Sequence, residues 1–507
     1  MHANDPAHYD FVDYLNALGS DWWQPDELLQ RWVARSSLDE RTLRWLAELG
    51  TQVAGPWRTR ADQVERRENL PRIVERGPYN QPCEELWLPA ATRRALGELH
   101  GSGIWRAALD ERARYAAVYL INQNGEAGIT CSMACTDGLA RMLRRFPDDE
   151  RNAEVIAALE NATPEHWIHG AQFVTEIQGG SDAATNAVRA EPLADDLWSL
   201  RGQKWFCSNV TADYWLVTAR TPGAAQDHTG VSLFCVPRLR DGRANGHRLL
   251  RLKDKLGTRA LPTAELELED ARGWMIGPAD AGLRNMVSTV LTTSRVHNVV
   301  AAAAFIRRAT REALAYAQFR RAFGRRLDEH PLIEASLAAL REAADRSAAG
   351  AFATVDAWTA ALAHPQDAER GAWARVLVSL AKATGTRQAP GQIYAAMMVL
   401  GGNGIEERFC ALPRLWRDSA ILETWEGPYT LLLMNALEDL VRLGVRGDER
   451  RFLEHGFGES VDDSLVEELE HVLARADSSP GILAWARLAP RLYAEVESRA
   501  LASLQRR

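Results

Sequence analysis

The spacing of apolar residues divides this chain into stretches of different period. Up to about residue 165, "PDELLQRWVARS", "ERTLRWLAELG" and "ATRRALGELHGSG" carry apolar residues three and four apart, with glycine near the ends. That spacing predicts amphipathic helices. "GITCSMACTDGLARMLRRF" reads as a pair of helices with a buried face. "GPYNQPCEELWLP", punctuated by proline, reads as a connection.

From about 166 to 280 the period shortens. "AQFVTEI", "AVRAEP", "LWSLRG", "YWLVTAR", "VSLFCVP", "HRLLRL" and "AELELEDA" alternate or run apolar over a few residues. Turn clusters such as "PGAAQDHTG" and "RDGRANG" separate them. Seven short strands at this spacing predict a small antiparallel barrel or sandwich. Helical period returns near 281 and persists through four long segments, the last being "TLLLMNALEDLVRLG". Four helices of that length predict a bundle. The tail adds about two weaker helices. The expected organisation is an N-terminal helical domain (1–165), a β-barrel domain (166–280), a C-terminal helical bundle (281–445) and a helical tail (446–507).

Composition narrows the functional classes. At 507 residues the chain exceeds what one core supports, so two to four domains are expected. A net charge of -8 gives no global field that favours nucleic acid or an anionic membrane. The opening "MHANDPAHYDFVDYL" has an early Asp and neither a basic n-region nor an apolar h-region, so no signal peptide is expected. The longest apolar run, Val299–Ile306, falls far short of the ~20 residues a bilayer requires. A cytoplasmic protein without a membrane partner is expected. The six cysteines (83, 131, 135, 207, 235 and 410) show no metal-binding spacing and read as small, reduced, buried residues. Cys131 and Cys135 are placed one above the other on a helix. Only four lysines occur, at 204, 253, 255 and 382.

Five stretches carry candidate chemistry. "FVTEIQGGSD" (Phe173–Asp182) combines two glycines with hydroxyls just after a strand. Such composition makes an ordinary surface turn, and it also lets a backbone approach phosphate oxygens or a polar ring edge. "QKWFCSN" (Gln203–Asn209) lies in the strand region. "FRRAFGRRL" (Phe319–Leu327) ends the first long bundle helix, "LGGNG" (Leu400–Gly404) ends a later one, and "ETWEGPYT" (Glu423–Thr430) opens the last.

In this order and spacing, from about Glu126 to Leu440, these stretches resemble the acyl-CoA dehydrogenase family. "TEIQGGSD", "KWFCS", "LKDKLGTR", "LPRLWRD" and "WEG" are similar to its alkylation-response (AidB-like) branch. The resemblance implies a multi-domain α+β fold: an N-terminal α-helical domain, a central antiparallel β-barrel and a C-terminal four-helix bundle. It implies FAD between barrel and bundle, and a homotetramer built as a dimer of dimers.

The resemblance also distributes roles. Val174 and Thr175 meet the flavin ring, while Gly180 and Ser181 meet the pyrophosphate. Phe206 lies against the flavin, and the Ser208 hydroxyl reaches the ring near N5. Arg320, three before Phe323, reaches the FAD of a neighbouring subunit, where a guanidinium suits pyrophosphate by forking onto two oxygens. Gly401 and Gly402 turn beside the same neighbouring cofactor, and Thr430 stands at a further FAD contact. Glu426 is the base that removes the α-proton of an acyl thioester, with hydride passing to flavin N5. Burial raises a carboxyl pKa and makes it a stronger base. Hydrogen bonds to the thioester carbonyl acidify the α-carbon. Arg295 matches a family arginine that orients or tunes this base, or serves as an ion-pair partner within the bundle.

Several positions depart from the family pattern. Met398 stands where many members have Gln, Pro428 where many have Thr after the Glu-Gly, and Pro331 where Gln is common. Trp425 is bulkier than the usual Tyr. The expected activity is FAD-dependent α,β-dehydrogenation of an acyl-CoA or related thioester, with electron-transfer flavoprotein or oxygen as acceptor. Two alternatives stay open: a flavoprotein with a nucleic-acid-protective role, and an oxidase or monooxygenase on the same fold. The first finds little charge to support it, because residues 446–507 carry nine Arg against twelve acidic residues. Nucleic acid is therefore not expected as a partner.

Overall fold

The computed structural model describes residues 10–506. Residues 1–9, on which the reading of the N-terminus partly rests, lie outside the described residues. The chain forms two compact units. One comprises Arg60–Leu109 and Ala127–Ser294; the other comprises Met1–Thr59, Asp110–Glu126 and Arg295–Arg507.

The first unit is built on a seven-stranded sheet among the described residues. Its strands are β1 (Gly170–Phe173), β2 (Arg189–Pro192), β3 (Leu197–Ser208), β4 (Tyr214–Ala219), β5 (Ser232–Pro237), β6 (His247–Leu252) and β7 (Thr263–Met275). They run in the order β1-β4-β5-β7-β3-β2, with β6 paired to β7. All seven strand segments expected from alternation are present. The pairing is mostly antiparallel, but β1 lies parallel to β4. Beside β2, the Ala190 N–H donates to the Arg220 carbonyl just past β4, and the Arg220 N–H donates to Val188, both at 2.8 Å. This parallel bridge draws the sheet round on itself, as a barrel requires. The enclosed core holds Phe173, Leu200, Trp215, Val217, Phe234 and Leu266.

Two segments of this unit differ from the sequence expectation. "GITCSMACTDGLARMLRRF" is one helix, Ala127–Arg144, and not a pair. Its glycines do not break it, because nearly every side is packed. A Cβ at Gly138 would sit 2.9 Å from Val290 Cγ1, so the glycine serves close approach. "GPYNQPCEELWLP" is not a bare connection: Pro82–Trp87 pairs antiparallel with Arg72–Arg76. The cysteine reading also needs correcting. Cys131, Cys135, Cys207 and Cys235 are buried, but Cys83 is exposed on this hairpin and Cys410 is half-buried. Cys131 and Cys135 do stack on one helix face, with sulfurs 4.0 Å apart.

The second unit is helical. Its principal helices are α1 (Thr292–Phe319), α2 (Pro331–Ala363), α3 (Ala368–Leu400), α4 (Leu412–Thr424), α5 (Tyr429–Arg442) and α6 (Ser479–Gln505). Residues 292–294 at the start of α1 belong to the sheet unit, and the helix is continuous through Arg295. Helix α3 packs against α2, α4 and α5, and is therefore buried along most of its length. Asp367 caps it by accepting from the Arg370 N–H at 3.0 Å. The C-terminal tail holds more helix than the two weaker helices expected. It forms three helices among the described residues, Glu449–Phe457, Asp463–Leu473 and the 27-residue α6, which packs on α2. On α6 the buried Trp485, Leu488, Leu492 and Val496 fall three and four apart, so one face of the helix is buried.

Candidate active site

In the sheet unit, the expected cofactor residues fall on two adjoining segments. The loop after β1 carries Val174, Thr175, Gly180 and Ser181; the end of β3 carries Phe206 and Ser208. The Trp205 N–H donates to the Thr175 carbonyl at 2.9 Å, tying the segments together. Gly180 and Ser181 are exposed, and a Cβ at Gly180 would meet only Thr175. That open backbone, flanked by hydroxyls, fits a phosphate-bearing ligand.

A β-bulge decides how β3 presents its side chains. Ala264 pairs with Cys207 and Leu266 with Lys204, so two residues, Trp205 and Phe206, oppose Glu265 alone. Alternation restarts across the bulge. Lys204 and Cys207 both point inward, and Phe206 turns out at 50% exposure. Ser208 is half-buried, with its hydroxyl 3.2 Å from that of Thr263. A large aromatic held half in solvent beside a hydroxyl fits an aromatic ring ligand.

The loop is anchored from beneath by a buried ion pair. Lys204 Nζ donates to Glu176 at 2.7 Å, with both side chains almost wholly buried. Glu176 also accepts from the Ala187 N–H at 2.6 Å, the Val188 N–H at 3.2 Å and Gln178 Nε2 at 2.7 Å. Burial alone would raise the Glu176 carboxyl; Lys204 and the N–H donors overcome it and hold the group below its ordinary value. Lys204 also reaches Thr218 Oγ1 at 3.1 Å. The pair therefore fastens the base of the Thr175–Ser181 loop to the barrel wall.

In the helical unit, Glu426 lies on the turn between α4 and α5. Helix α4 stops at Thr424, and Pro428 precedes the first residue of α5. Glu426 has φ +56° and Gly427 φ +103°. A left-handed non-glycine residue costs roughly 1–3 kcal/mol and persists only where surroundings enforce it. Two buried cations do so here. Arg295 Nε donates to the Glu426 carbonyl at 3.0 Å. Lys382 Nζ donates to the Glu423 carbonyl at 2.9 Å and the Gly427 carbonyl at 2.7 Å. Burial lowers both cations. It pulls the Arg295 guanidinium below its ordinary value against the opposing charge of Glu426, and it brings the Lys382 ammonium down to about 7.

The remaining residues gather at the far end of α1. Arg320 follows that helix directly, and Phe323 and Gly324 form the tip of a short hairpin between Arg321–Ala322 and Arg325–Arg326. This segment departs from the expected helix end. Phe323 is 96% exposed at φ +52°. Gly401 and Gly402 open the turn after α3, with nothing within 4 Å of a Cβ built on either. Asn403 Nδ2 donates to the Tyr316 hydroxyl at 2.9 Å, and the Arg320 N–H donates to the Tyr316 carbonyl at 2.8 Å. Arg320 and the glycine turn are thereby neighbours. Glu426 and Arg295 belong to the opposite end of α1. Thr430, the second residue of α5, is exposed.

Lys382 carries no motif. Its only signal in the sequence is a single lysine inside the apolar run "VLVSLAKATG". A lysine is rarely buried unless it is paired.

Similarity to known proteins extends across the sheet and the helical bundle. The model for the acyl-CoA dehydrogenase middle domain matches residues 171–271, and that for the C-terminal domain matches residues 280–440. A putative acyl-CoA dehydrogenase of Escherichia coli, AidB, is 33% identical over 73% of this chain and 69% of its own length. Acyl-CoA dehydrogenase family member 11 of Caenorhabditis elegans is 32% identical over 61% of this chain, which spans about half (51%) of that relative. Among solved structures, the apo form of Bd2924 superposes with a TM-score of 0.88 at 28% identity, covering 96% of this chain and 98% of that one.

Proposed function

This chain belongs to the acyl-CoA dehydrogenase family, and from that premise we propose that Glu426 is the base in an FAD-dependent α,β-dehydrogenation of an acyl thioester. The observation that carries this reading is the turn itself: a half-buried carboxylate on strained main chain, held by two buried cations. Strain of this kind persists at sites where geometry matters to chemistry. Glu426 takes the α-proton of the bound thioester. FAD, when bound, supplies the acceptor for the β-hydrogen.

The other residues bind and orient. Thr175 and Ser208 offer hydroxyls to a flavin ring edge, Val174 and Phe206 offer apolar surface to the ring, and Gly180 and Ser181 offer N–H and hydroxyl donors to pyrophosphate. Arg295 and Arg320 flank α1 at a separation of about 37 Å, at the usual helical rise per residue. That separation supports a homotetramer in which Arg320, Phe323, Gly401 and Gly402 serve a neighbouring subunit's FAD, with Thr430 at a further contact. The acceptor of the electrons is an electron-transfer flavoprotein or oxygen. The acidic balance of residues 446–507 gives the nucleic-acid reading no electrostatic support.

The test is anaerobic bleaching of the bound flavin by a panel of acyl-CoAs, with and without Glu426→Gln. At least one thioester is expected to bleach the parent enzyme. Removing the base is expected to slow that step by about 10²–10⁴-fold. Unchanged bleaching in the variant rejects the assignment.

A further inference from the structure

Lys382 lies at the middle of α3, with no exposed surface. Its stem leaves α3 and ends between two main-chain carbonyls. One belongs to Glu423, in the last turn of α4, where carbonyls have no partner within the helix. The other belongs to Gly427, immediately after the candidate base. Arg295 takes the carbonyl between them, that of Glu426. Within five residues, three carbonyls are thus fixed by two cations arriving from different helices, α1 and α3. A second tie lies on the outer side, where Arg387 pairs with Glu423 at 3.3 Å and covers the Tyr429 ring at 4.2 Å.

We propose that Lys382 is a positioning residue for dehydrogenation: by bridging the Glu423 and Gly427 carbonyls, it holds the turn that aims the Glu426 carboxylate. The inference rests on Glu426 being the base. The geometry explains why a lysine is required. Its three donors sit on one compact head and rotate to meet two carbonyls from different peptide planes, whereas a guanidinium fork is planar and rigid. A neutral apolar residue would leave both carbonyls buried without their donor. With Gly427 free to rotate, the left-handed conformation of Glu426 would lose one of the ties that hold it. Small displacements matter at this point, because misplacing a reacting group by about 1 Å costs on the order of 10²-fold in rate.

The test uses Lys382→Met in the FAD-loaded enzyme. Flavin content is expected to stay close to the parent, and the thermal midpoint to fall by a few degrees, as two carbonyls losing their donor should. Anaerobic flavin reduction at saturating acyl-CoA is expected to slow by about 100-fold, with KM changed by less than about threefold, the split that marks lost transition-state alignment. Amide hydrogen exchange over residues 424–427 is expected to accelerate at least about tenfold, as a released local structure should, while the rest of α4 and α5 stays protected. Reduction at the parental rate, or unchanged exchange over 424–427, overturns the proposal. If Lys382→Met does not fold, Lys382→Gln, which keeps a donor of similar length, is judged by the same measurements. Failure of both to fold shows a structural staple and also overturns it. The two readings separate cleanly. Glu426→Gln that still bleaches the flavin rejects the base whatever Lys382 does, while the exchange measurement reports on the clamp by itself.

Discussion

Arg295, four residues into α1, donates from Nε to the main-chain carbonyl of Glu426 at 3.0 Å. A buried guanidinium therefore fixes the backbone of the residue that carries the candidate base. Arg295→Lys keeps the charge but shortens the reach and buries a more strongly hydrated head. We expect flavin content to be retained and acyl-CoA-dependent reduction to slow by about 10–100-fold, from misalignment of the base. Stopped-flow reduction under anaerobic conditions measures this; a rate within threefold of the parent would show that the contact has no bearing on the chemistry.

The Glu176–Lys204 pair predicts a strongly non-additive response. Lys204→Met leaves a buried carboxylate without its cation, a change expected to cost roughly 3–5 kcal/mol. Adding Glu176→Gln removes the stranded charge and should recover much of the loss. Thermal unfolding of the two single variants and the double variant gives the coupling. Additive losses would mean that the pair does not act as a unit.

The two glycines after α3 should respond differently. Gly401 has φ +61° and ψ -134°, a region almost confined to glycine, so Gly401→Ala is expected to destabilise by about 1–3 kcal/mol although nothing crowds it. Gly402 has no such constraint and open space in front of it. Gly402→Ala is expected to change stability by less than about 0.5 kcal/mol and yet weaken flavin retention. Full retention of FAD by Gly402→Ala would remove this turn from the cofactor contacts.

Glu497, on α6, gives a pH signature of stability. Burial pushes its carboxyl up to about 7, opposed by Arg346 from α2 at 3.9 Å and by a hydrogen bond with Gln388 from α3. The buried Tyr493 lies one turn before it. The folded protein therefore binds a proton here more tightly than the unfolded chain. The stability this confers is fully present below the ordinary carboxyl value, near 4.5, and is lost as pH rises through about 7. Glu497→Gln should remove that dependence and be the more stable protein above pH 7. The gain is up to a few kcal/mol, since each tenfold difference in proton affinity between folded and unfolded chain is worth about 1.4 kcal/mol. Parallel pH profiles of the thermal midpoint would contradict this.

Much of the architecture was legible because burial imposes a period. Alternation or a short apolar run marks the seven strands, and three- and four-residue spacing marks the helices that bury one face, whereas β4, β5 and α3 are buried almost all round and read as apolar runs. Two local readings failed for definite reasons. Ala127–Arg144 is buried almost all round, so its glycines mark close packing and not an end. The Arg72–Trp87 hairpin was hidden by prolines, which sit at its turn and margins.

The candidate site was legible only as a set of words in order. "TEIQGGSD", "LGGNG" and "WEG" point to chemistry through resemblance. The chain's local pattern cannot reveal the bulge that turns Phe206 outward, because strict alternation from Lys204 would place it on the same face as that lysine. Nor can it reveal that two of its four lysines are buried, one beneath the loop after β1 and one behind the Glu426 turn.

The sequence by itself determined which elements form and which residue types are available, because helix and strand periods are local consequences of which face is buried. Only the tertiary structure decided which carbonyls a buried cation meets and which way a side chain leaves a strand. Those outcomes depend on groups tens or hundreds of residues apart, such as Arg295 and Glu426, whose meeting is fixed by packing and leaves no periodic trace in either segment.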